Sequence, residues 1–366
     1  MAQLSDFPLR DNLKGKTPYG APQLDVPIAL NVNENTHPLN EAALQHIAAA
    51  VTSVLGCLNR YPEREFTQLR EELAAYLGSG LTAENIWAAN GSNETLQHIL
   101  QAFGGPGRSL LSFVPSYSMY PLLAQGTDTA WIPVPRQANY ELSPEYVASQ
   151  LAEHNPTIAI ICGPNNPTGT SLTLETVIAA YEAFEGILVI DEAYFEFEEN
   201  TLSAVTLLDG RPRLVVSRTM SKAFSFAGVR LGYLAADPAL LDALRLVRLP
   251  YHLSSLTQAA AVAAVQHAPL MLESVTAIKE QRQRLVAELK ALGLQPYQSG
   301  GNFLLVAGFG DSTAAFEALL AAGVLVRQFN IPGHLRLTVG TAAENTAMLQ
   351  AIAAFLDTSQ SPQKVD

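Results

Sequence analysis

The fold and chemistry of this chain are indicated most clearly by the stretch Leu214-Val215-Val216-Ser217-Arg218-Thr219-Met220-Ser221-Lys222-Ala223-Phe224. Its continuous apolar start is typical of a strand buried on both faces of a sheet. A lysine at the end of such a strand loses hydration, which favours the neutral amine and makes Lys222 a nucleophile towards aldehydes. The hydroxyl groups beside it, with Arg230 shortly after, suit a phosphate. The stretch therefore predicts a site for an aldehyde that carries a phosphate, although the motif alone is also compatible with a surface lysine on a strand-to-helix turn.

Composition indicates a globular protein of more than one domain. The chain has 366 residues, of which 48% are hydrophobic and 15% are charged, and this length favours two domains. The net charge of −12 argues against a nucleic-acid partner. We find no secretory signal and no apolar run of the roughly 18 residues that a membrane span needs, so we expect no membrane partner and a cytoplasmic protein. Cys57, Cys162 and the histidines show no metal-ligand spacing.

Hydrophobic patterning divides the chain into three parts. Residues 1–40 are rich in Pro, Asn and short turns and predict an extended arm that contributes to the smaller domain and the active site. Residues 41–267 alternate apolar runs with amphipathic stretches, which predicts a large α/β domain with a mainly parallel sheet flanked by helices. Residues 268–366 predict a smaller α+β domain, and residues 249–264 predict the helix that joins the two domains.

Polar groups follow three of the predicted strands at the point where each strand ends. Asn165 to Gly169 follow the strand Ile158–Cys162, Asp191 follows Ile187–Ile190, and Lys222 follows the third strand. In parallel α/β sheets, ligands bind beyond the carboxyl ends of the strands. The three groups are therefore expected to open onto one crevice.

The carboxylate that follows the second strand indicates the ligand more narrowly. Asp191 comes after four apolar residues and should be buried, where a carboxylate needs a cationic partner. The protonated ring nitrogen of pyridoxal phosphate is such a partner, and this ion pair keeps the ring an electron acceptor. Asn166 could donate to the phenolic oxygen of the same ring. Taken alone, Asp191 could equally tie down a loop, and the Asn-Pro-Thr-Gly sequence could be a simple turn.

Three further features suit the same ligand. The small-residue loop Asn90 to Glu94 precedes a helical pattern and predicts free N–H groups for an anion, although helix capping explains it as well. Tyr117 could stack on a cofactor ring or be an ordinary core aromatic. Arg327 and Arg336 lie in strand patterns of the second domain, where two arginines facing a cleft would bind a carboxylate or phosphate, and each by itself could be a surface residue.

Taken together, these motifs resemble those of the fold-type I aminotransferases, which depend on pyridoxal phosphate. More narrowly, the chain resembles the histidinol-phosphate aminotransferase branch of that family over nearly its full length. The motifs that carry the resemblance occur in family order at residues 31–35, 59–62, 90–94, 164–169, 191–194, 221–224, 227–232 and 335–340. The family arm usually reads Tyr-x-Pro-Gly, whereas this chain has Tyr19-Gly20-Ala21-Pro22.

The resemblance implies roles for individual residues. Lys222 binds the cofactor and moves the substrate proton, Asp191 pairs with the ring nitrogen, and Tyr117 stacks on the ring; these are the implied catalytic residues. The implied cofactor-binding residues are Ser92, Asn93, Tyr117, Asn166, Asp191, Tyr194, Thr219, Ser221, Lys222 and Arg230, with Tyr61 reaching the phosphate of the neighbouring subunit in a homodimer. The implied substrate-binding residues are Tyr19, Asn33, Tyr61, Asn166, Arg327 and Arg336.

The function that the resemblance implies is reversible transfer of an amino group between L-histidinol phosphate and 2-oxoglutarate, with glutamate as the counterpart, by a ping-pong reaction. Two other enzymes share the cofactor motifs: an aromatic-amino-acid aminotransferase and a threonine-phosphate decarboxylase. A non-enzymatic alternative is the aminotransferase-like domain of a transcription regulator. That alternative needs an attached basic DNA-binding module, and no such segment fits before Asn33.

Overall fold

The apolar runs form strands, and most of the amphipathic stretches form helices, in the computed structural model, which describes residues 2–18, 20–199 and 201–360. The strands are β1 Ile28–Ala29, β2 Ile86–Ala89, β3 Ser109–Val114, β4 Ala130–Pro135, β5 Ile158–Cys162, β6 Ile187–Asp191, β7 Leu214–Thr219, β8 Gly232–Ala236, β9 Gln295–Pro296, β10 Phe303–Ala307, β11 Val324–Leu325, β12 Arg327–Gln328 and β13 His334–Thr338. The α-helices are α1 Glu41–Val54, α2 Thr67–Leu77, α3 Ser92–Phe103, α4 Met119–Gly126, α5 Pro144–His154, α6 Leu174–Glu182, α7 Pro238–Val247, α8 Ser255–Gln266, α9 Ala268–Met271, α10 Glu273–Ala291, α11 Ser312–Ala321 and α12 Ala342–Gln360.

Seven strands form the large sheet in the order β2-β8-β7-β6-β5-β3-β4. Strand β8 is antiparallel to both its neighbours, and the other pairs are parallel. Strands β5, β7 and β8 are buried along their whole length, as expected for a sheet covered by helices on both faces. The predicted α/β fold with a mainly parallel sheet is confirmed.

A second sheet is antiparallel and has the order β12-β13-β10-β9. It has its own hydrophobic core, which includes Leu285 and Leu289 of α10 and Met348 of α12. Part of the arm belongs to this core, because β1 pairs with β11 and Leu30 is buried there. We propose that the two cores correspond to the predicted domains at residues 41–267 and 268–366, with the arm added to the second.

Two predicted elements differ from those observed. The joining helix starts at Ser255, because the side chain of Ser254 accepts a hydrogen bond from Thr257 N–H and caps it there. The preceding residues 249–254, with Pro250 and a left-handed Tyr251 (φ 62°), are not helical. The strand pattern that contains Arg327 spans residues 324–327, and in the structure it is split at Val326, since β11 pairs with the arm and β12 pairs with β13.

No single helix among the described residues is long and apolar enough to span a membrane; one bent pair, Ser255–Gln266 with Ala268–Ala291, meets the length and composition criteria jointly. Within the same residues, no cluster of three or more His, Cys, Asp or Glu side chains could hold a metal ion.

A close backbone contact joins the first residue of β8 to the start of α3. A Cβ atom at Gly232 would overlap the backbone of Gly91 and Ser92. Only glycine therefore allows the loop that leads into α3 to lie directly against β8.

We expect Gly232→Ala to lower the free energy of unfolding of the cofactor-free protein by about 1–3 kcal/mol, because the overlapping atoms are backbone and cannot move aside cheaply. Urea unfolding followed by circular dichroism measures this change. Gly228→Ala is the matched control, since a Cβ there meets nothing within 4 Å. Equal effects of the two substitutions would contradict the close-contact argument.

Candidate active site

A cavity of about 250 Å³ lies at the edge of the large sheet where its parallel strands end. Loops from both sheets and from the arm line it. The predicted site residues in its lining are Ser92, Asn93, Tyr117, Asn166, Asp191, Tyr194, Thr219, Ser221, Lys222, Arg230, Arg327 and Arg336. The convergence expected from the three strand ends is therefore observed.

Lys222 projects into this cavity from the turn after β7. Its Nζ donates a 2.8 Å hydrogen bond to the backbone carbonyl of Val32 in the arm. The pKa of Lys222 is lowered to about 8: burial is the largest cause, the positive charges of Arg336 and Arg230 act in the same direction, and the negative charge of Glu34 opposes them. A substantial fraction of this amine is therefore neutral near pH 8, as a nucleophile towards an aldehyde requires.

Asp191 is the last residue of β6 and is buried at the cavity wall. The pKa of Asp191 is raised from 3.8 to about 6, because burial outweighs the hydrogen bonds donated by the Tyr120 hydroxyl (2.7 Å) and the Ala193 N–H (3.3 Å), which act to lower it. The carboxylate thus stays ionised at neutral pH without a cation among these partners. It is poised to pair with a ligand cation.

The neighbouring Glu192 faces the opposite side of the sheet, as expected for successive residues of an extended segment. There it forms a 2.8 Å ion pair with buried Arg218 of β7, which also bonds Glu196 at 3.0 Å. These ionic contacts join the ends of β6 and β7 behind the cavity. They hold the strands that carry Asp191 and Thr219 side by side.

The end of the cavity near α3 suits an anion. Helix α3 begins at Ser92 with Gly91 as its N-cap, and Gly91 provides no capping side chain. A Cβ at Gly91 (φ +87°) would lie 2.7 Å from Nη2 of Arg230, so the guanidinium fits into the space that the glycine leaves. The hydroxyls of Thr219 and Ser221, 3.1 Å apart, line the same cavity. A helix N-terminus, hydroxyls and an arginine together favour a phosphate.

An amide, a phenol and a guanidinium group form the wall between the two sheets. Asn166 Nδ2 donates to the Tyr194 hydroxyl at 3.3 Å, and Asn166 Oδ1 accepts from Arg336 Nη1 at 2.6 Å. Arg336 Nη2 donates to the carbonyl of Asn31 at 2.6 Å. The arginine is thereby held rigidly against the large-sheet loop.

Arg327 and Arg336 are cross-strand partners in β12 and β13. Both guanidinium groups lie over the ring of Phe329, at 5.6 Å and 5.2 Å from its centroid. Two cations against one aromatic ring at the cavity suit an anionic part of a substrate.

Three predicted site residues do not line this cavity or cannot be located. Asn33 is buried behind Tyr194, where its Nδ2 donates to the tyrosine hydroxyl at 3.0 Å. Tyr61 is 81% exposed and stacks on Tyr251 with a centroid distance of 4.7 Å. Tyr19 lies outside the described residues.

Sequence reasoning missed several residues that complete the site. Tyr120 was not assigned, although it lies only three residues after Tyr117, at the start of α4. Phe329 was missed too, and its position two residues after Arg327 in an extended segment was the available signal. The backbone carbonyls of Asn31 and Val32 had no signal, because any residue supplies one.

The donor groups fit pyridoxal phosphate. The cavity presents an amine of lowered pKa for an aldehyde, a buried carboxylate for a ring nitrogen, and a glycine-lined arginine with a helix N-terminus for a phosphate. These three groups come from different walls of one cavity. Their chemistry matches the three polar ends of that cofactor.

We expect Asp191→Asn to stabilise the cofactor-free protein relative to wild type in a pH-dependent way. Because the folded pKa of Asp191 is raised, the folded state binds more protons than the unfolded state between pH 3.8 and 6. Wild-type stability therefore falls across this window, and the variant should gain about 2 to 3 kcal/mol relative to it between pH 4 and pH 7. Urea unfolding at a series of pH values measures the difference. A difference that does not change with pH would contradict the burial of an ionised Asp191.

Comparison with known proteins shows which family the chain resembles. Residues 25–352 match the family of class I and II aminotransferases. The chain is 56% identical to the histidinol-phosphate aminotransferase of Paenarthrobacter aurescens (strain TC1) over 98% of its own length and 97% of that protein. It is 53% identical to the enzyme of the same name from Mycolicibacterium smegmatis, over 98% and 96% of the two chains.

Solved structures share the fold at lower identity. The histidinol-phosphate aminotransferase from Sinorhizobium meliloti in complex with pyridoxal-5'-phosphate superposes with a TM-score of 0.83 at 23% identity, covering 91% of this chain and 92% of that one. The L-threonine-O-3-phosphate decarboxylase from Porphyromonas gingivalis has a TM-score of 0.77 at 22% identity, over 90% and 99%. The fold is therefore that of the fold-type I enzymes, and it does not by itself separate these activities. By sequence, the chain belongs to the class I and II aminotransferase family and to its histidinol-phosphate aminotransferase branch.

Proposed function

We propose that this protein transfers an amino group between L-histidinol phosphate and 2-oxoglutarate, in the direction used for histidine biosynthesis and in reverse. The observation that carries the proposal is one cavity that holds both Lys222, with its lowered pKa, and the arginine pair Arg327 and Arg336. Full-length identity above 50% to aminotransferases of that name supports the same substrate.

The proposed cofactor is pyridoxal phosphate. Lys222 would hold its aldehyde carbon, Asp191 its ring nitrogen, and Arg230 with the start of α3 its phosphate, while Tyr117 would stack on its ring. When bound, the cofactor supplies an electron sink that stabilises negative charge at the reacting carbon of the substrate. Asp191 supports this chemistry because its carboxylate, oriented by Tyr120, is ionised at neutral pH and favours a protonated ring nitrogen.

We assign the transfer of the proton at the reacting carbon of the substrate to Nζ of Lys222. An amine with a pKa of about 8 exchanges its proton readily near neutral pH, so it can both accept and return a proton at the reacting carbon. The Val32 carbonyl holds Nζ on the arm side of the cavity. Because the arm closes this side, it limits the access of water to the amine.

The substrate anion is assigned to the two arginines. Arg336 is fixed by Asn166 and Asn31, so its guanidinium needs little reorganisation when a phosphate or carboxylate binds. Phosphate of histidinol phosphate in one half-reaction and carboxylate of glutamate in the other would use the same pair. Bidentate recognition suits both anions.

The proposed functional unit is a homodimer in which Tyr61 reaches the partner's cofactor phosphate. Tyr61 stacks on Tyr251, and the exposed side chains Leu246 and Leu249, at 86% and 76%, lie shortly before Tyr251 in the chain. Arg248 donates one hydrogen bond to the carbonyl of Arg64 and another to the carboxylate of Glu65, and these contacts tie the two segments together. An exposed apolar surface of this kind favours association with a second protein surface.

The cytoplasmic location stays a prediction.

We expect L-histidinol phosphate to consume the lysine-bound cofactor of the purified enzyme much faster than L-phenylalanine does. Rapid mixing with each amine, followed by the loss of absorbance of the lysine-bound cofactor, measures the two rates. Equal or faster conversion by phenylalanine would assign a general aromatic aminotransferase, and release of carbon dioxide from threonine phosphate would assign the decarboxylase. Lys222→Ala is the control; it should lack the absorbance band and lose about 10³-fold or more of the turnover.

We expect mixed dimers of two inactive variants to recover activity. Lys222→Ala inactivates the site of its own chain, and Tyr61→Ala weakens the site of its partner if Tyr61 acts across the interface. Random mixing should restore about one quarter of wild-type sites, because about half of the dimers are mixed and each has one intact site. Refolding the variants separately and together, with turnover assays on each, tests this. No recovery would place Tyr61 in its own chain's site or outside any site.

A further inference from the structure

The hydroxyl of Tyr194 lies at the centre of a buried hydrogen-bond set that the cofactor contacts do not require. It accepts from Asn33 Nδ2 at 3.0 Å and from Asn166 Nδ2 at 3.3 Å. A hydroxyl has one proton to donate and two lone pairs to accept with. Two donated hydrogen bonds therefore occupy its accepting capacity and leave its own proton for another direction.

The orientation of the Asn33 amide is fixed by Thr338. The backbone N–H of Asn33, which can only donate, donates to Thr338 Oγ1 at 3.3 Å, and Thr338 Oγ1 donates to Asn33 Oδ1 at 3.0 Å. A flipped amide would put two donors on Thr338 Oγ1 and would deprive the threonine proton of this acceptor. The oxygen of Asn33 thus faces Thr338, and its nitrogen faces Tyr194.

The orientation of the Asn166 amide is fixed by Arg336. A guanidinium has donors and no acceptor, so the atom that Arg336 Nη1 contacts at 2.6 Å is the amide oxygen. The amide nitrogen of Asn166 therefore faces Tyr194 as well. Both chains of hydrogen bonds begin at a group whose polarity cannot change: a backbone N–H and a guanidinium.

We propose that Asn33 and Thr338 are positioning residues which, with Asn166, force the Tyr194 hydroxyl to donate its proton into the cavity. This inference rests on the proposed function, since the acceptor in the cavity is the phenolic oxygen of the bound cofactor. It assigns Asn33 a role through Tyr194 in place of the substrate contact expected from the sequence. Tyr194 lines the cavity, whereas Asn33 does not.

The local backbone supports a dedicated position for Asn33. Its φ of 57° lies in the left-handed region, which asparagine adopts more readily than most residues. Its carbonyl accepts from Asn302 Nδ2 at 3.1 Å, so all four of its polar groups are bonded. Thr338 lies two residues after Arg336 in β13, which places both side chains on the same face of the second sheet. One strand thereby supports both amides.

The test is an absorbance titration of the full-length enzyme loaded with pyridoxal phosphate. A hydrogen bond donated to the phenolic oxygen competes with the proton that this oxygen shares with the lysine-derived nitrogen, so it favours loss of that proton. Thr338→Val keeps the shape and removes the hydroxyl. We expect it to raise the pH of the colour change by about one unit, a tenfold shift in the protonation equilibrium. Thr338→Ser keeps the hydroxyl and should titrate like wild type, and neither substitution removes or adds a charged side chain.

A double-mutant cycle isolates the route through Tyr194. Tyr194→Phe should itself raise the pH of the colour change, and adding Thr338→Val to it should produce no further shift. An equal shift by Thr338→Val with and without the tyrosine hydroxyl would overturn the proposal, as would a folded Thr338→Val enzyme that titrates like wild type.

A second variant covers the case in which Thr338→Val does not fold. Asn33→Asp keeps the shape and the tolerance of left-handed φ but presents an acceptor to Tyr194, so it should raise the pH of the colour change at least as much as Thr338→Val. A wild-type titration curve for this variant would overturn the proposal. If wild type shows no lysine-bound cofactor band, the proposed function fails and this inference fails with it; a normal band without these shifts contradicts the inference alone.

Discussion

The ion pair between Arg218 and Glu192 joins the ends of two neighbouring strands, β7 and β6, on the side of the sheet away from the cavity. Successive residues of a strand face opposite sides, so fixing Glu192 and Arg218 behind the sheet also fixes Asp191 and Thr219 in front of it. The pair is buried, and burying two charges is tolerable only when their hydrogen bonds are satisfied. Here Ser203 and Glu196 supply the additional partners.

On the side of the sheet that faces the cavity, the buried charges are not satisfied in this way. Asp191 and Lys222 are each desolvated without an oppositely charged side chain among their hydrogen-bond partners, and their pKa values move towards neutrality. Such groups destabilise the cofactor-free fold and gain their partners when a ligand binds. The satisfied ion pair behind the sheet thus stabilises the strands that carry Asp191 and Lys222, whose charges lack partners in front of it. The site depends on this difference between the two faces.

The second sheet and the arm complete the site from the other side. The arm pairs with β11, supplies the carbonyls that accept hydrogen bonds from Lys222 and Arg336, and buries Asn33 against Tyr194. Arg336 in turn contacts Asn166 across the cavity. These contacts connect the proposed substrate-binding groups with the proposed cofactor-binding groups through hydrogen bonds between rigid elements, which keeps both sets in register.

The sequence by itself determined which polar groups follow the strand ends, and it predicted that they would line one cavity. The apolar runs before Asp191 and Lys222 are local features, and a parallel sheet brings strand ends to one edge whatever the details of packing. Tertiary structure alone decided which groups touch. Three contacts depend on side-chain direction and on residues far apart in the chain: that of Tyr120 with Asp191, that of Phe329 with two arginines, and that of Asn33 with Tyr194. The split of residues 324–327 between two sheets has the same origin, since its hydrogen-bond partners lie in the arm and in β13. The local sequence pattern determines burial and periodicity. The pairing of distant polar groups is decided only when the chain has folded.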